Sequence, residues 1–490
     1  MPLSLNESVA AINSKKTDNT DALPPLEAIA HAEASLPVSL PDKGMGLEDM
    51  KQHLLDDLLP AFNGPNQSPN YYGFVTGGST EASLFADYIV SGFDQNAQVF
   101  APKEAIGGRV EDTALRLLQQ LLCIDEAAFP GRIFTTGATG SNILGLALGR
   151  EFSVAAAGRR KFPPSSPSVA QLGIVPACMR AGVRKIQVLT TVPHSSLTKA
   201  ASVVGLGTNT VISLPFSVDQ PWRFDLNELE RKLSDSDGTA NIIAISAGEV
   251  NTGRFATSRA EMLKIRALAD KHGAWIHVDG AFGLQARVLL PNESYNTIID
   301  GVGSVILADS ITGDAHKLLN VPYDCGFFFT RHLELQQAVF QNGAVPIPDL
   351  GEIPSAHNLG IENSRRLRAL PVYASLLAYG RVWHRDLLER QIELSRTIAA
   401  FIEQSEHYEL LPKLTVSTDI YMIVLFRARS PTLNSELVMK LNTSRAIYVS
   451  GTRWENAPAT RIAVSTWRVD VERDSARVIA ELAKAVTGSK

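Results

Sequence analysis

The stretch DSITGDAHKLLNVPYDCG, residues 309–326, sets an imidazole and an amine side by side at His316 and Lys317. The pair reads as lying in a loop between two short buried strands, SVILAD (304–309) and CGFFFT (325–330). An isolated His-Lys pair is usually a solvated surface pair, so its meaning depends on what the other strands deliver beside it. Upstream, β-rich runs alternate with helical stretches: RIFTT (132–136), KIQVLTT (185–191), TVISLPF (210–216), NIIAIS (241–246) and AWIHVD (274–279). That alternation predicts a mostly parallel sheet covered by helices on both faces.

Ligands of such sheets gather where parallel strands end, so the residues following each run are the candidates for chemistry. After RIFTT comes GATGSNILGLALG (137–149), a small-residue turn feeding a helix. Its backbone amides, with the hydroxyls of Thr139 and Ser141, suit a phosphate at a helix N-terminus. The run matches neither GxGxxG nor GxxxxGK[ST], and a turn that merely joins strand to helix explains it equally well. HVDGAFG (277–283) puts Asp279 at the edge of an apolar run, where a carboxylate needs a cation or donor, or caps a helix. In TTVPHSSLTKAASVVG (190–205), His194 precedes a helix that Ser195 or Ser196 is placed to cap.

Together the four groups are less ambiguous than any one of them. A phosphate cradle, a carboxylate for a protonated ring nitrogen, an imidazole to lie on a ring face and an amine to bond at C4′ are the parts that hold pyridoxal phosphate.

The sequence also resembles the group II pyridoxal-phosphate-dependent amino acid decarboxylases, which include aromatic amino acid and glutamate decarboxylases. The resemblance runs from about residue 36 to the C-terminus through LPDKG, SPNYYGFVTGG, TTGATGSN, PHSS, AGEVNTG, HVDGAFG, the 309–326 stretch, SRRLRALPVYASL and TRIAVSTW. It implies the fold type I, aspartate aminotransferase-like α/β architecture. Lys317 would hold the cofactor covalently, Asp279 would pair with the pyridinium, Ala281 would pack against the ring and His194 would stack on it. Ala138, Thr139 and Ser141 would bind the phosphate, His316 would sit beside the imine, and Asp314 would be a further cofactor-binding residue. Tyr72, Phe74 and Thr76 would line the substrate pocket. The family is an obligate homodimer with shared sites, so the 95–100 segment, Phe100 included, would reach the partner's pocket.

Three positions depart from the family pattern. Asn70 stands where many members carry histidine, and GEVNTG (248–253) replaces the usual Gly-Thr-Thr. The lid tyrosine that many aromatic decarboxylases use to reprotonate the substrate carbon falls on Ala356, next to His357. His357 or His316 would then deliver that proton. The expected activity is decarboxylation of an L-amino acid, aromatic or apolar because NYYGF offers rings and no cation. The alternatives are oxidative deamination to an aldehyde, another carbon–carbon lyase or transaminase reaction, or a binding protein of the same fold.

Composition agrees with a soluble enzyme: of 490 residues, 45% are hydrophobic and 20% charged, with a net charge of −5 that argues against nucleic acid as a partner. No window approaches 18 uninterrupted apolar residues and the N-terminus has no signal-peptide pattern, so no membrane contact and a cytoplasmic location are expected. The three cysteines, 123, 178 and 325, lack the spacing of a disulfide framework or a zinc site. The expected organisation is an N-terminal arm (1–80), a large cofactor domain (81–371) with a lid loop at about 341–364, and a small C-terminal domain (372–490).

Overall fold

The computed structural model describes residues 21–64, 68–97, 105–235, 237–342, 353–413 and 415–487, together with Ala10 and Ile12. Phe100 and the 343–352 part of the expected lid lie outside them. The chain divides into two compact units, one from 79–389 with 414–421, the other from 1–78, 390–413 and 422–490.

The first unit holds a seven-stranded sheet. Its strands are β1 (Gly131–Thr135), β2 (Lys185–Thr190), β3 (Val211–Ser213), β4 (Thr239–Ser246), β5 (Trp275–Asp279), β6 (Ser310–Asp314) and β7 (Gly326–Thr330), in the order β1-β7-β6-β5-β4-β2-β3. β3, β2, β4, β5 and β6 pair in parallel, while β7 is antiparallel to both β6 and β1. β1 therefore runs the same way as β6, and six carboxyl ends share one edge. Ile242 to Ile245 of β4 are all buried, the unbroken apolar run of a strand covered on both faces.

One expectation is corrected. Val305–Leu307 of SVILAD forms a short 3-10 turn, and the strand is the more polar run Ser310–Asp314 immediately after it. The polar residues belong there because they have buried partners: Ser310 Oγ meets Trp275 Nε1 at 3.1 Å and His277 Nδ1 at 2.8 Å. His316 and Lys317 accordingly lie in a one-turn helix rather than a loop.

Helix α1 (Ala138–Lys161) crosses the sheet and buries sixteen of its residues. It begins on small residues and ends on Arg159, Arg160 and Lys161, basic groups that complement the negative end of the helix dipole. Ala138, Asn142, Gly145 and Gly149 follow i, i+4, i+7 and i+11 spacing and form one stripe. The stripe permits close packing: a Cβ at Gly145 would sit 2.3 Å from Cε1 of His277, and one at Gly149 would sit 2.9 Å from Cδ1 of Trp275. Gly326 acts similarly at the start of β7, paired in register with both Thr135 and Asp314. A Cβ there would lie 2.5 Å from the Cα of Gly137, so glycine lets the turn before α1 pass over the strand.

The second unit carries a four-stranded antiparallel sheet, β8 (Tyr408–Leu411), β9 (Ile423–Ala428), β10 (Ser450–Trp454) and β11 (Ala457–Ala463), ordered β10-β11-β9-β8. Tyr408 is buried under it, with its hydroxyl on the carbonyl of Leu482 at 2.8 Å. Tyr71 stacks on Tyr448, with ring centroids 4.7 Å apart. Among the described residues no helix is long and apolar enough to cross a membrane.

Two outcomes are expected from this packing. Gly145→Ala should overpack the contact with His277 and cost ~1–3 kcal/mol, read as a lower denaturant midpoint with unchanged slope. Burial holds the pKa of His277 down at about 4. Between about pH 6.5, where an unfolded histidine titrates, and about 4, the unfolded chain takes up a proton that the folded chain refuses. Stability is thus lost as pH falls through that window and levels off below it. Urea unfolding at pH 7 and pH 5 should show a smaller difference for His277→Gln than for the wild type.

Candidate active site

Three carboxyl ends and the start of α1 meet at one edge of the large sheet. At the end of β6, Asp314 is 3% exposed and uses both carboxylate oxygens. Oδ1 accepts the backbone N–H of Ala138 at 2.6 Å, and Oδ2 pairs with Lys317 Nζ at 2.9 Å. Lys317 follows in helix α3 (Ala315–Leu318); α2 is the helix Ser195–Val203 that precedes it in the chain. The ammonium also lies 5.8 Å from the centre of the Phe282 ring. His316 packs against Tyr323 with centroids 4.5 Å apart and the rings tilted by 38°, and its Nδ1 accepts the Cys325 N–H at 3.2 Å. Burial lowers the pKa of His316 below the ordinary histidine value.

One strand over, Asp279 ends β5. Its Oδ2 accepts from Asn142 Nδ2 at 2.9 Å and its Oδ1 from the backbone N–H of Ala281 at 3.2 Å. The Ala281 carbonyl in turn accepts the Asp314 N–H, which ties the two strand ends together. The two aspartates differ in kind: Asp314 has a cation, whereas Asp279 has only neutral donors among the described residues.

His194 stands before α2, and here the capping expectation is revised. The imidazole itself caps, its Nδ1 accepting the Ser196 N–H at 3.2 Å. The Ser196 hydroxyl lies 2.8 Å from the same nitrogen.

The remaining predicted residues are placed as follows. Thr139 is exposed in the first turn of α1, while Ser141 is fully buried with its hydroxyl on Thr135 Oγ1 and the Phe327 carbonyl, 2.7 and 3.1 Å away. The Ser141 hydroxyl is thus held inside the fold. His357 is nine-tenths buried and hydrogen-bonds Asn342 just after the helix Leu333–Phe340. Tyr72, Phe74 and Thr76 belong to the other unit; Tyr72 is fully buried, its hydroxyl 3.4 Å from Asn70 Oδ1, and Phe74 is exposed. Glu249, where a hydroxyl was expected, folds back on its own turn: its carboxylate accepts from Asn251 N–H at 2.8 Å and from both the N–H and hydroxyl of Thr252.

Sequence reading missed Asn142 and His277. His277 Nε2 lies 2.9 Å from Asn142 Oδ1, and Asn142 Nδ2 reaches Ser196 Oγ at 3.1 Å as well as Asp279. The signal was present: His277 precedes Asp279 by two on a strand, and Asn142 follows Ala138 by four on a helix, so each shares a face with a residue already singled out.

These residues fit pyridoxal phosphate. A carboxylate with no cation among the described residues suits a protonated ring nitrogen, a partly shielded lysine stands at the end of the neighbouring strand beside Asp314, and α1 starts on glycine and alanine at the same edge. The comparisons agree. The chain matches the pyridoxal-dependent decarboxylase conserved domain over residues 31–429. An L-2,4-diaminobutyrate decarboxylase of Acinetobacter baumannii is 25% identical over 300 residues, 60% of this chain and 55% of that protein, so the match spans little more than half of that relative. A phenylacetaldehyde synthase of Petunia hybrida is 22% identical over 454 residues, 89% of this chain and 84% of that one. The crystal structure of Oryza sativa TDC with PLP and tryptamine shares the fold at a TM-score of 0.81 and 17% identity, covering 100% of this chain and 99% of that one. With the matched domain extending over most of its length and the lysine, carboxylate and helix start gathered at one sheet edge, the chain belongs to the pyridoxal-dependent decarboxylases, a family of carboxy-lyases whose cofactor is pyridoxal 5′-phosphate.

Proposed function

We propose that this protein decarboxylates an L-amino acid with an aromatic or apolar side chain and releases the amine. The observation that carries the reading is Asp279, a carboxylate held by Asn142 and the Ala281 amide with no cation among the described residues. Bound pyridoxal phosphate supplies the sink for the electron pair left when CO2 departs. Asp279 keeps the proton on the ring nitrogen, which makes that sink effective. Lys317 holds the cofactor covalently, and Asp314 fixes the amine while taking the first amide of α1. His194 covers the ring face. Thr139, exposed in the first turn of α1, faces the phosphate, while the Ala138 N–H is already held by Asp314.

After CO2 leaves, the substrate carbon takes a proton, and we assign its delivery to His316. With Nδ1 accepting from Cys325, the neutral ring carries its hydrogen on Nε2, 3.8 Å from Oδ1 of Asp314, the carboxylate whose other oxygen holds Lys317. A neutral imidazole is too weak an acid to give that hydrogen away, so the donor is the imidazolium, which takes its second proton at Nδ1 in place of the Cys325 bond and returns to neutral on donating; burial disfavours that form, so amine release by this route should rise as pH falls. His357 is the second candidate. One observation favours an aldehyde product instead: Ala356 opens the 3-10 turn Ala356–Asn358 where a tyrosine is expected from the family pattern, and a named aldehyde synthase is among the relatives.

The expected assembly is a homodimer. Phe85, Phe93, Ile106, Leu377 and Val382 of the large unit are all more than half exposed, an apolar set that a second copy would cover.

The test is a panel of L-amino acids scored under air and nitrogen for CO2, amine, aldehyde and peroxide. Aromatic substrates should give amine matched to CO2; aldehyde and peroxide released one for one with CO2 would establish the other product. In the same assay Lys317→Ala should abolish turnover and the borohydride-reducible cofactor absorbance, and Asp279→Asn should lose ~10²-fold or more in kcat, as other preorganised charges do. Sedimentation should give twice the chain mass, and Phe85→Asp should shift it toward the monomer.

A further inference from the structure

Asn142 sits at the centre of a hydrogen-bond chain whose directions the chemistry fixes. Trp275 Nε1 can only donate, and it meets Ser310 Oγ at 3.1 Å. The Ser310 hydroxyl then gives its hydrogen to His277 Nδ1, 2.8 Å away. His277 is fully buried and neutral, so its one ring hydrogen is on Nε2, pointing at Asn142 Oδ1 at 2.9 Å. That bond orients the carboxamide, which spends its two N–H groups on Asp279 at 2.9 Å and on Ser196 Oγ at 3.1 Å. Ser196, having accepted, donates to His194 Nδ1, which also accepts the Ser196 backbone N–H. Every donor in this chain meets an acceptor, and reversing any one link sets two donors or two acceptors against each other.

We infer that Asn142 is the positioning residue that joins the Asp279 carboxylate and the His194 imidazole into one unit, holding the first by a direct bond and bracing the second through the Ser196 hydroxyl, whose bond to Nδ1 adds to that of the Ser196 backbone N–H in keeping the ring hydrogen on Nε2. The inference rests on reading Asp279 and His194 as the groups that meet the cofactor ring. Its consequence is that the two are not independent: a change at Asn142, buried behind both, reaches the ring nitrogen and the ring face together. The supporting element is rigid. Asn142 lies on the stripe of α1 that contains Gly145 and Gly149, so its height over β5 is set by the glycine contacts with His277 and Trp275.

The experiment compares wild type, Asn142→Ala, Ser196→Ala and Asp279→Asn by nitrogen-15 NMR. Histidine-labelled protein without cofactor reports the His194 tautomer, pyridine-labelled cofactor reports protonation of the ring nitrogen, and titration gives the cofactor dissociation constant. Asn142→Ala should move both signals and weaken cofactor binding on the order of tenfold, the size expected for losing a hydrogen bond to a charged group. Ser196→Ala should move the His194 signal alone. A general loosening of the fold would not separate the two signals in this way. Should Asn142→Ala misfold, the Ser196 variant still decides, because an unchanged His194 signal in it overturns the inference. Wild-type signals and affinity in Asn142→Ala also overturn it. If Asp279→Asn leaves the ring nitrogen unchanged, the reading of Asp279 fails instead, while the His194 result in cofactor-free protein still judges Asn142.

Discussion

The site depends on how closely helix α1 lies on strand β5. The absence of a side chain at Gly145 lets the helix backbone descend onto the ring of His277, and Gly149 repeats the contact at Trp275. Interiors are packed densely enough that a single methyl group would lift the helix. Lifting it would separate Asn142 from Asp279 and His277, and Ala138 from Asp314, because Asn142 and Ala138 lie on the same stripe of α1 as the two glycines. The chemistry at the sheet edge therefore rests on a contact between groups that do no chemistry.

The two aspartates at that edge show how environment divides one residue type into two roles. Asp314 is buried against Lys317 and a helix amide, so its charge is compensated within the chain. Asp279 is held by neutral donors, which orient a carboxylate without neutralising it. A charge left in that condition is costly unless a cation arrives, which is what the protonated ring of the cofactor would supply on the proposed reading of Asp279. Glu249 is the contrasting case. It replaces an expected hydroxyl, yet its carboxylate is absorbed by the turn Glu249–Gly253 through Asn251 and Thr252, a local structural use of charge.

Much was legible in the sequence because strand and helix periods are short. The parallel sheet was readable from apolar runs such as NIIAIS, buried on both faces as β4, and the cofactor set from four polar groups that each follow a strand. Periodicity failed at SVILAD, where three apolar residues make a 3-10 turn and the polar SITGD makes the strand. Burying Ser310 is acceptable only because Trp275 and His277 meet it from the next strand, and no local pattern contains that information.

The sequence by itself determined the fold class and the family, and it singled out Lys317 and Asp279 as the candidate lysine and carboxylate, since these are carried by residue type at fixed short spacing. Tertiary structure alone decided which polar groups remain available. It buried the Ser141 hydroxyl against Thr135 and Phe327, turned His194 into the cap of its own helix, and set His357 against Asn342. It also brought Asn142, His277 and Ser196 together from three separate elements. The physical reason is that a hydrogen bond depends on distance and direction at the ångström scale, and those are fixed only when helix and strand are packed against each other.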